Sequence, residues 1–292
     1  MKTRLNTPVS DDEQRRLAVL IDADNAQPSV IEGLLAEVAK FGVASVKRIY
    51  GDFTSVQQTQ WKKALLKHSI NPVQQFAYTS GKNATDSSLI IDAMDLMYTG
   101  RFDGFCLVSS DSDFTRLAQR LREEGLTVYG FGERKTPDAF VQACDKFIYT
   151  EVLRADAGAI EPAKPPMPAK PADPAARPAS PAKAAATKSA GAASGAATVP
   201  SNGSEPAAKP TGPLPLPLTL IRQAIEDASD EQGWAHLGAV GSYLTKIRPD
   251  FDPRLYGHKK LSDLFKQQPK YFAVEERGTA GVSSKAVYVR AL

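Results

Sequence analysis

The first half of the chain alternates short apolar runs with longer amphipathic segments. The apolar runs have the length of buried β-strands, and the segments between them carry apolar residues at the spacing of α-helices. The predicted strands cover residues 17–22, 44–50, 70–77, 104–109, 126–131 and 146–150. The predicted helices cover residues 28–40, 56–68, 85–98, 113–124 and 137–143. This order predicts βαβ units, and therefore an α/β fold with a mostly parallel sheet and helices on both faces.

A second patterned region lies near the C-terminus and has a different order of elements. Its predicted helices cover residues 218–230, 237–247 and 257–267. Two strands, residues 271–275 and 286–290, follow as a hairpin around two glycines. Three short helices and a hairpin predict a small winged helix-turn-helix domain of the α+β class.

Composition divides the chain into four parts. Residues 1–15 are a polar N-terminal tail, and residues 16–154 carry the α/β pattern. Residues 155–213 are mainly Ala, Pro, Lys, Ser and Gly, which cannot bury enough apolar surface to fold, so this part is predicted to be a disordered linker. Residues 214–292 form the C-terminal domain. Because the α/β pattern ends where the linker begins, we expect the first domain to fold independently.

Charge, cysteines and hydropathy limit the class of protein. Residues 1–154 carry 19 Lys and Arg against 20 Asp and Glu, and residues 214–292 carry 11 against 9, so charge alone does not identify a nucleic-acid-binding protein. Cys106 and Cys144 are too few for a disulfide framework. No apolar run has the length of a membrane span, and the first residues do not resemble a signal peptide. We therefore expect a cytoplasmic protein that does not bind a membrane.

Acidic residues follow two of the predicted strands. Asp22 and Asp24 come at the end of strand 17–22, and Asp111 and Asp113 come just after strand 104–109. Ligands and metals bind beyond the carboxyl ends of parallel strands, so these side chains are placed to share one cation. Carboxylate oxygens suit hard cations such as Mg²⁺ or Mn²⁺, which stabilise phosphoryl-transfer transition states.

Helix capping is the competing explanation for some of these acids. Asp86 opens the third predicted helix, where an acid complements the helix dipole, and Asp24 or Asn25 could cap the helix that begins near Pro28. Asp22 is different, because it ends a buried strand, where an unpaired carboxylate is costly. The pattern therefore favours a cation site over capping alone.

The motifs of residues 16–152 resemble the NYN domain, which has a PIN-like nuclease fold. They are Leu-Ile-Asp22-Ala-Asp24-Asn25, Lys82-x-x-x-Asp86, Ser109-Ser110-Asp111-Ser112-Asp113-Phe114 and Gly125-x-x-Val128-x-Gly130. The resemblance implies a ribonuclease that depends on Mg²⁺ or Mn²⁺. It implies that metal or its water is held by four acids, Asp22, Asp86, Asp111 and Asp113. It also implies site support or phosphate contacts from Asp24, Asn25, Lys82 and Ser110, although Lys82 could equally be a solvated lysine.

The C-terminal region resembles the LOTUS domain, also called the OST-type helix-turn-helix. The resemblance rests on Trp234-Ala235-x-Leu237, Gly257-x-Lys259-Lys260-Leu261-x-Asp263-Leu264-Phe265 and the terminal hairpin. It implies binding of RNA or of a protein partner. Lys259 and Lys260 could contact phosphates or could form a solvated helix face.

Three functions are compatible with these patterns. The first is an endoribonuclease in which the acids position metal and the C-terminal domain binds RNA or a partner. The second is a non-catalytic adaptor that binds RNA or protein. The third is a phosphatase of the haloacid dehalogenase type, because Asp22-x-Asp24 after a strand imitates its nucleophile loop. That class places its second acid pair more widely and needs a cap segment, neither of which the sequence contains.

Overall fold

A computed structural model describes five stretches of the chain, residues 14–54, 56–76, 84–157, 214–278 and 285–292. The position of Lys82, most of the predicted N-terminal tail and nearly all of the predicted linker lie outside these stretches. Among the described residues, no helix is both long and apolar enough to cross a bilayer.

A six-stranded sheet forms the centre of the N-terminal part, and each pair of neighbouring strands is parallel. Its order is β3-β2-β1-β4-β5-β6. The strands are β1 Arg16–Asp22, β2 Val43–Gly51, β3 Asn71–Gln74, β4 Gly104–Val108, β5 Thr127–Gly132 and β6 Lys146–Tyr149. The strand order reverses between β1 and β4, which is the place where open α/β sheets bind their ligands.

Within the described stretches, six helices pack against this sheet, on both of its faces. They are α1 Ile31–Val38, α2 Trp61–His68, α3 Ala84–Tyr98, α4 Thr115–Glu123, α5 Asp138–Ala143 and α6 Thr150–Ala157. In β1, Ala18 and Leu20 join a core cluster with residues of α3, α4 and α5, whereas Leu17, Val19 and Ile21 join a second cluster with residues of α1, α2 and α6. This alternation confirms the predicted α/β fold. Helix α6 was not predicted.

The C-terminal part has a core of its own around a three-stranded antiparallel sheet of order β7-β9-β8. Its helices are α7 Leu218–Asp227, α8 Leu237–Ile247 and α9 Leu261–Lys266, and its strands are β7 Ala235–His236, β8 Phe272–Gly278 and β9 Lys285–Ala291. The predicted helices and hairpin strands are therefore present. The short strand β7 was not predicted, and the third helix begins later than expected, after a left-handed Gly257 (φ 84°).

The two folded parts contact each other, which the sequence analysis did not anticipate. The backbone N–H of Phe147 in edge strand β6 donates to the carbonyl oxygen of Pro249 at 2.8 Å. The guanidinium of Arg254 donates to Glu37 of α1 at 3.1 Å. Val152 of α6 belongs to the apolar cluster of the C-terminal part. Backbone, ionic and apolar contacts thus all cross this boundary.

Candidate metal centre

Asp22 lies at the carboxyl end of β1, beside β4, and only 1% of its surface is exposed. Its Oδ2 accepts hydrogen bonds from Asn25 Nδ2 and Ser109 Oγ, both at 2.8 Å, and its Oδ1 accepts from the Asp24 N–H at 3.0 Å. Burial raises the pKa of Asp22 above its ordinary value, although the hydrogen bonds from Asn25 and Ser109 oppose that shift. This buried carboxylate is therefore well supplied with donors, as burial requires.

Three other acids converge at the same edge of the sheet. Asp86 lies in the first turn of α3, and Asp111 and Asp113 follow β4. Each can offer one carboxylate oxygen such that the three oxygens lie within 4.8 Å of one another. We call these three residues the acidic cluster. Asp86 and Asp111 are half-buried and Asp113 is exposed, so the cluster faces solvent on one side.

The acidic cluster is electrostatically strained in the absence of a cation. Burial, followed by the charges of Asp22, Asp111, Asp113 and Asp24, raises the pKa of Asp86 to about 6. Like charges this close disfavour one another's ionised forms, and an added cation would relieve the repulsion. An oxygen-only donor set of this kind fits Mg²⁺ or Mn²⁺.

Capping accounts for part of the role of Asp111. Its Oδ1 accepts a hydrogen bond from the Asp113 N–H at 2.9 Å and caps the short 3₁₀ turn Ser112–Phe114. Asp24 and Asn25, in contrast, do not cap the turn that begins at Pro28, because its N-cap is Gln27 and no side chain bonds there. Asn25 binds Asp22 instead.

Ser109 is a site residue that the sequence pattern did not single out. It is 2% exposed, its Oγ donates to Asp22, and the same oxygen accepts from the Asp111 N–H at 3.1 Å. Its hydroxyl thus links Asp22, at the end of β1, to Asp111, which follows β4. The predicted Ser110 instead accepts from the Glu133 N–H at 2.8 Å and anchors the segment after β5. A signal was present, since Ser109 follows an entirely buried strand directly.

Gln58 is a second residue that the sequence did not single out. Its Nε2 donates to Asp24 Oδ1 at 2.9 Å and to the Ala23 carbonyl oxygen at 3.3 Å. Gln58 is buried and comes from the 3₁₀ turn Val56–Gln60, far from β1 in the sequence. Asp24 is therefore held at the site from outside its own loop.

Replacing Ser109 with alanine should weaken both the fold and the site. The change leaves the half-buried Asp111 N–H without its acceptor and removes one donor from the buried Asp22, so we expect a loss of about 1–3 kcal/mol in unfolding free energy. Loosening of a residue that supports the acids should also lower their affinity for a divalent cation about 10–100-fold. Urea unfolding and Mn²⁺ titration measure the two effects. The exposed Ser112→Ala variant is the control, and equal stability of Ser109→Ala and wild type would contradict this role.

Lys259 and Lys260 lie in the C-terminal part, just before and at the N-cap of α9. Both side chains are exposed. Their exposure is compatible with both interpretations of the sequence, a phosphate contact and a solvated helix face.

Three solved structures from bacteria are among those similar to this chain. An uncharacterized protein of Nitrosomonas europaea is 44% identical over 32% of this chain and 92% of its own, with a TM-score of 0.27. A protein of unknown function from Vibrio parahaemolyticus is 20% identical over 48% of this chain and 96% of its own, with a TM-score of 0.41. A fragment from Chromobacterium violaceum is 38% identical over 25% of this chain and 77% of its own, with a TM-score of 0.21. No curated protein matches the chain significantly.

Family models match both folded parts. Residues 16–153 match the NYN domain, and residues 213–283 match the OST-HTH/LOTUS domain. The two matches agree with the resemblances drawn from the motifs. The chain therefore carries a NYN domain, of the PIN-like nuclease superfamily, followed by an OST-HTH/LOTUS domain, of a family associated with RNA binding.

Proposed function

We propose that this protein is a metal-dependent endoribonuclease and that the acidic cluster holds Mg²⁺ or Mn²⁺. The observation that carries the proposal is the convergence of Asp86, Asp111 and Asp113 within 4.8 Å. They converge at the β1/β4 switch point of a NYN domain. The raised pKa of Asp86, caused by burial and by the neighbouring carboxylates, supports a site that a cation completes.

The residues around the cluster have separate tasks in this proposal. A bound ion supplies a Lewis acid that stabilises negative charge on the phosphodiester and increases the acidity of water. Asp22 is the fourth carboxylate of the site, because among the neighbouring carboxylates it raises the pKa of Asp86 most. Ser109 and Asn25 hold Asp22 in place, and Gln58 holds Asp24. Lys82 remains a predicted phosphate contact.

A phosphatase mechanism of the haloacid dehalogenase type suits this geometry poorly. That mechanism needs the first aspartate after the strand to attack substrate directly. Asp22 is 1% exposed, and its two oxygens accept from three donors. A carboxylate held in this way is better suited to positioning its neighbours than to forming a covalent intermediate. The non-catalytic adaptor remains the alternative that an activity assay addresses.

Cleavage of a circular single-stranded RNA tests the proposal, because a molecule without ends can be opened only by an endonuclease. We expect Mg²⁺ or Mn²⁺ to support opening and EDTA to stop it. Asp111→Asn should abolish cleavage although asparagine preserves the cap, since Asn and Asp are equally good N-caps. The control is Asp95→Asn, the same change at an exposed position of α3. Metal-independent cleavage, or full activity of Asp111→Asn, would contradict the proposed site, and no cleavage at all would favour the adaptor.

We also propose RNA as the partner of the C-terminal domain and the cytoplasm as the location of the protein. Affiliation with the OST-HTH/LOTUS family supports the first proposal. The second is supported by Cys106 and Cys144, both free and buried, which suits a reducing compartment. Recruitment of a protein partner through the C-terminal domain is the alternative to RNA binding.

A further inference from the structure

One face of the C-terminal sheet carries aromatic and arginine side chains in place of the usual small polar residues. The register pairs Tyr288 of β9 with His236 of β7 and with Glu275 of β8, so these three side chains share a face. Val289, the next residue of β9, is fully buried on the opposite face. The Tyr288 side therefore points away from the core. Antiparallel sheets generally leave such a face solvated and polar.

Aromatic rings and cations alternate across this face. The Arg290 guanidinium carbon lies 4.9 Å from the centroid of the Trp234 ring. The Arg277 guanidinium carbon lies 5.1 Å from the Trp234 centroid and 4.5 Å from the Tyr288 centroid. The His236 ring then meets Tyr288 edge to face, with centroids 5.5 Å apart. We call these five residues the aromatic–arginine face.

The side chains of this face remain partly accessible. Trp234, Arg277 and Tyr288 are half-buried, and His236 and Arg290 are exposed. Glu275, the one acid of the β8–β9 ladder on this side, forms an ion pair with Arg277 at 3.1 Å. Within the β8–β9 ladder this side therefore carries two guanidinium groups against one carboxylate, an excess of positive charge that complements a polyanion.

Internal stability alone explains this arrangement incompletely. Exposed cation–π contacts stabilise a protein by only about 0.5–1 kcal/mol each. The same groups are those that recognise unpaired nucleotides, since bases stack on aromatic rings and on guanidinium planes while arginine also reaches phosphate. Trp234 and Tyr288, whose rings both lie near the Arg277 guanidinium, provide stacking surfaces for neighbouring bases.

We propose that the aromatic–arginine face binds single-stranded RNA by stacking unpaired bases on Trp234 and Tyr288. Arg277 and Arg290 cover the bases or contact the adjoining phosphates. The proposal rests on the proposed RNA-binding function of this domain and deepens it, because it places base contacts on the sheet rather than at Lys259 and Lys260. Paired bases cannot present their faces to the rings, so duplex RNA of the same sequence is excluded from this mode.

Salt dependence separates stacking from lysine contacts. Each lysine–phosphate contact releases counterions, so losing one lowers the steepness with which affinity falls with salt. Stacking of a base on a neutral ring releases few counterions. Loss of Tyr288 should therefore lower affinity at every salt concentration with nearly unchanged slope. Loss of Lys259 and Lys260 should reduce the slope if these residues contact phosphates.

The test measures binding of a fluorescent single-stranded RNA to the full chain by anisotropy, in EDTA to prevent cleavage and at several salt concentrations. Tyr288→Leu keeps an apolar strand residue and removes the ring, and we expect about 10-fold weaker binding. Tyr288→Phe should restore wild-type affinity. The matched control is Tyr243→Leu, the same change on α8, a helix that contacts the sheet from its core side. Melting curves verify that each variant is folded.

The outcomes separate this inference from the proposed function. If wild type binds RNA and Tyr288→Leu binds equally well, the aromatic–arginine face is not the binding surface, whatever the cleavage assay shows. Effective competition by duplex RNA would overturn the stacking mode as well. If Tyr288→Leu weakens binding and wild type cleaves nothing, the inference stands and the nuclease proposal fails. If wild type does not bind single-stranded RNA at all, the inference fails on its own.

Discussion

Replacing Asp86 with asparagine should make the metal-free protein more stable while reducing cleavage more than about 100-fold. Burial and the surrounding carboxylates raise the pKa of Asp86 to about 6, from an ordinary value of 3.8. The folded state therefore holds the Asp86 proton more tightly than the unfolded state does, and ionising this group as pH rises through 6 weakens the fold. Asparagine is uncharged, so the variant does not lose stability in this way as pH rises. The loss of activity follows because even residues that only support metal ligands contribute about 10–100-fold.

The difference in stability between Asp86→Asn and wild type should depend on pH. Above pH 7, Asp86→Asn should exceed wild type by about 1 kcal/mol, a value reduced for the solvent exposure of the group. Well below the ordinary value of 3.8 the side chain is protonated in both states, so the two proteins should converge. Thermal melts in EDTA from pH 3 to 8 measure the difference. Added Mn²⁺ should stabilise wild type more than the variant. Asp95→Asn should match wild type throughout.

The opposite result would identify Asp86 as a structural residue. An acid in the first turn of a helix stabilises it through the helix dipole, and its removal then lowers stability at neutral pH. If Asp86→Asn is less stable than wild type at pH 7 and wild-type melting does not respond to metal, the cation site is wrong. A gain in stability with a loss of activity is the trade expected of a functional site.

Local patterns predicted the sheet and the approximate place of the acids, because both follow from adjacent residues. The apolar run before Asp22 and the one before Ser109 define β1 and β4, and parallel pairing then brings their carboxyl ends together. The partners within the site were less predictable. Ser109 and Ser110 are neighbours of the same residue type, and only their positions in the folded chain direct one to Asp22 and the other to Glu133.

Contacts between distant segments could not be predicted from periodicity. Gln58 reaches Asp24 across 34 residues, and Arg254 reaches Glu37 across 217. Glu37 lies within a helix that reads as an ordinary amphipathic pattern, and nothing local marks it as buried. The sheet register likewise assembles the aromatic–arginine face, since Trp234 and Arg277 belong to separate elements. Such pairings follow from tertiary packing, about which a single sequence contains little local information.

Replacing Arg254 with methionine should lower the stability of the protein by about 3–5 kcal/mol, the usual effect of removing one partner from a buried ionic network. The guanidinium lies 2.7 Å from Asp252 and 3.1 Å from Glu37, and the exposed fractions of the three side chains are 17%, 12% and 6%. Burial raises the pKa of Glu37, but hydrogen bonds from Lys40 and Arg254 more than offset it and hold that pKa below its ordinary value. Methionine preserves much of the packing and leaves both carboxylates without this donor.

An exposed ion pair and a second substitution show whether burial of the network causes the loss of stability. Lys67 meets Glu32 at the same 2.7 Å, but both side chains are mostly exposed, so Lys67→Met should leave the melting midpoint essentially unchanged. Glu37→Gln combined with Arg254→Met removes both charges of the pair and should recover part of the loss, in the manner of a double-mutant cycle. A recovery would assign the loss to a stranded carboxylate rather than to packing.

The number of thermal transitions decides whether this network couples the two folded parts. The pattern of the sequence led us to expect an α/β domain that melts independently, but the contacts of Arg254, Phe147 and Val152 cross the boundary. We therefore expect one cooperative transition in the full chain, and Arg254→Met should shift it as a unit. The pKa of Glu37 is lowered in the fold, so the difference from wild type should shrink as pH falls below 4. Two separate transitions, with only one of them shifted by Arg254→Met, would show that the parts fold independently and that the network stabilises the C-terminal part alone.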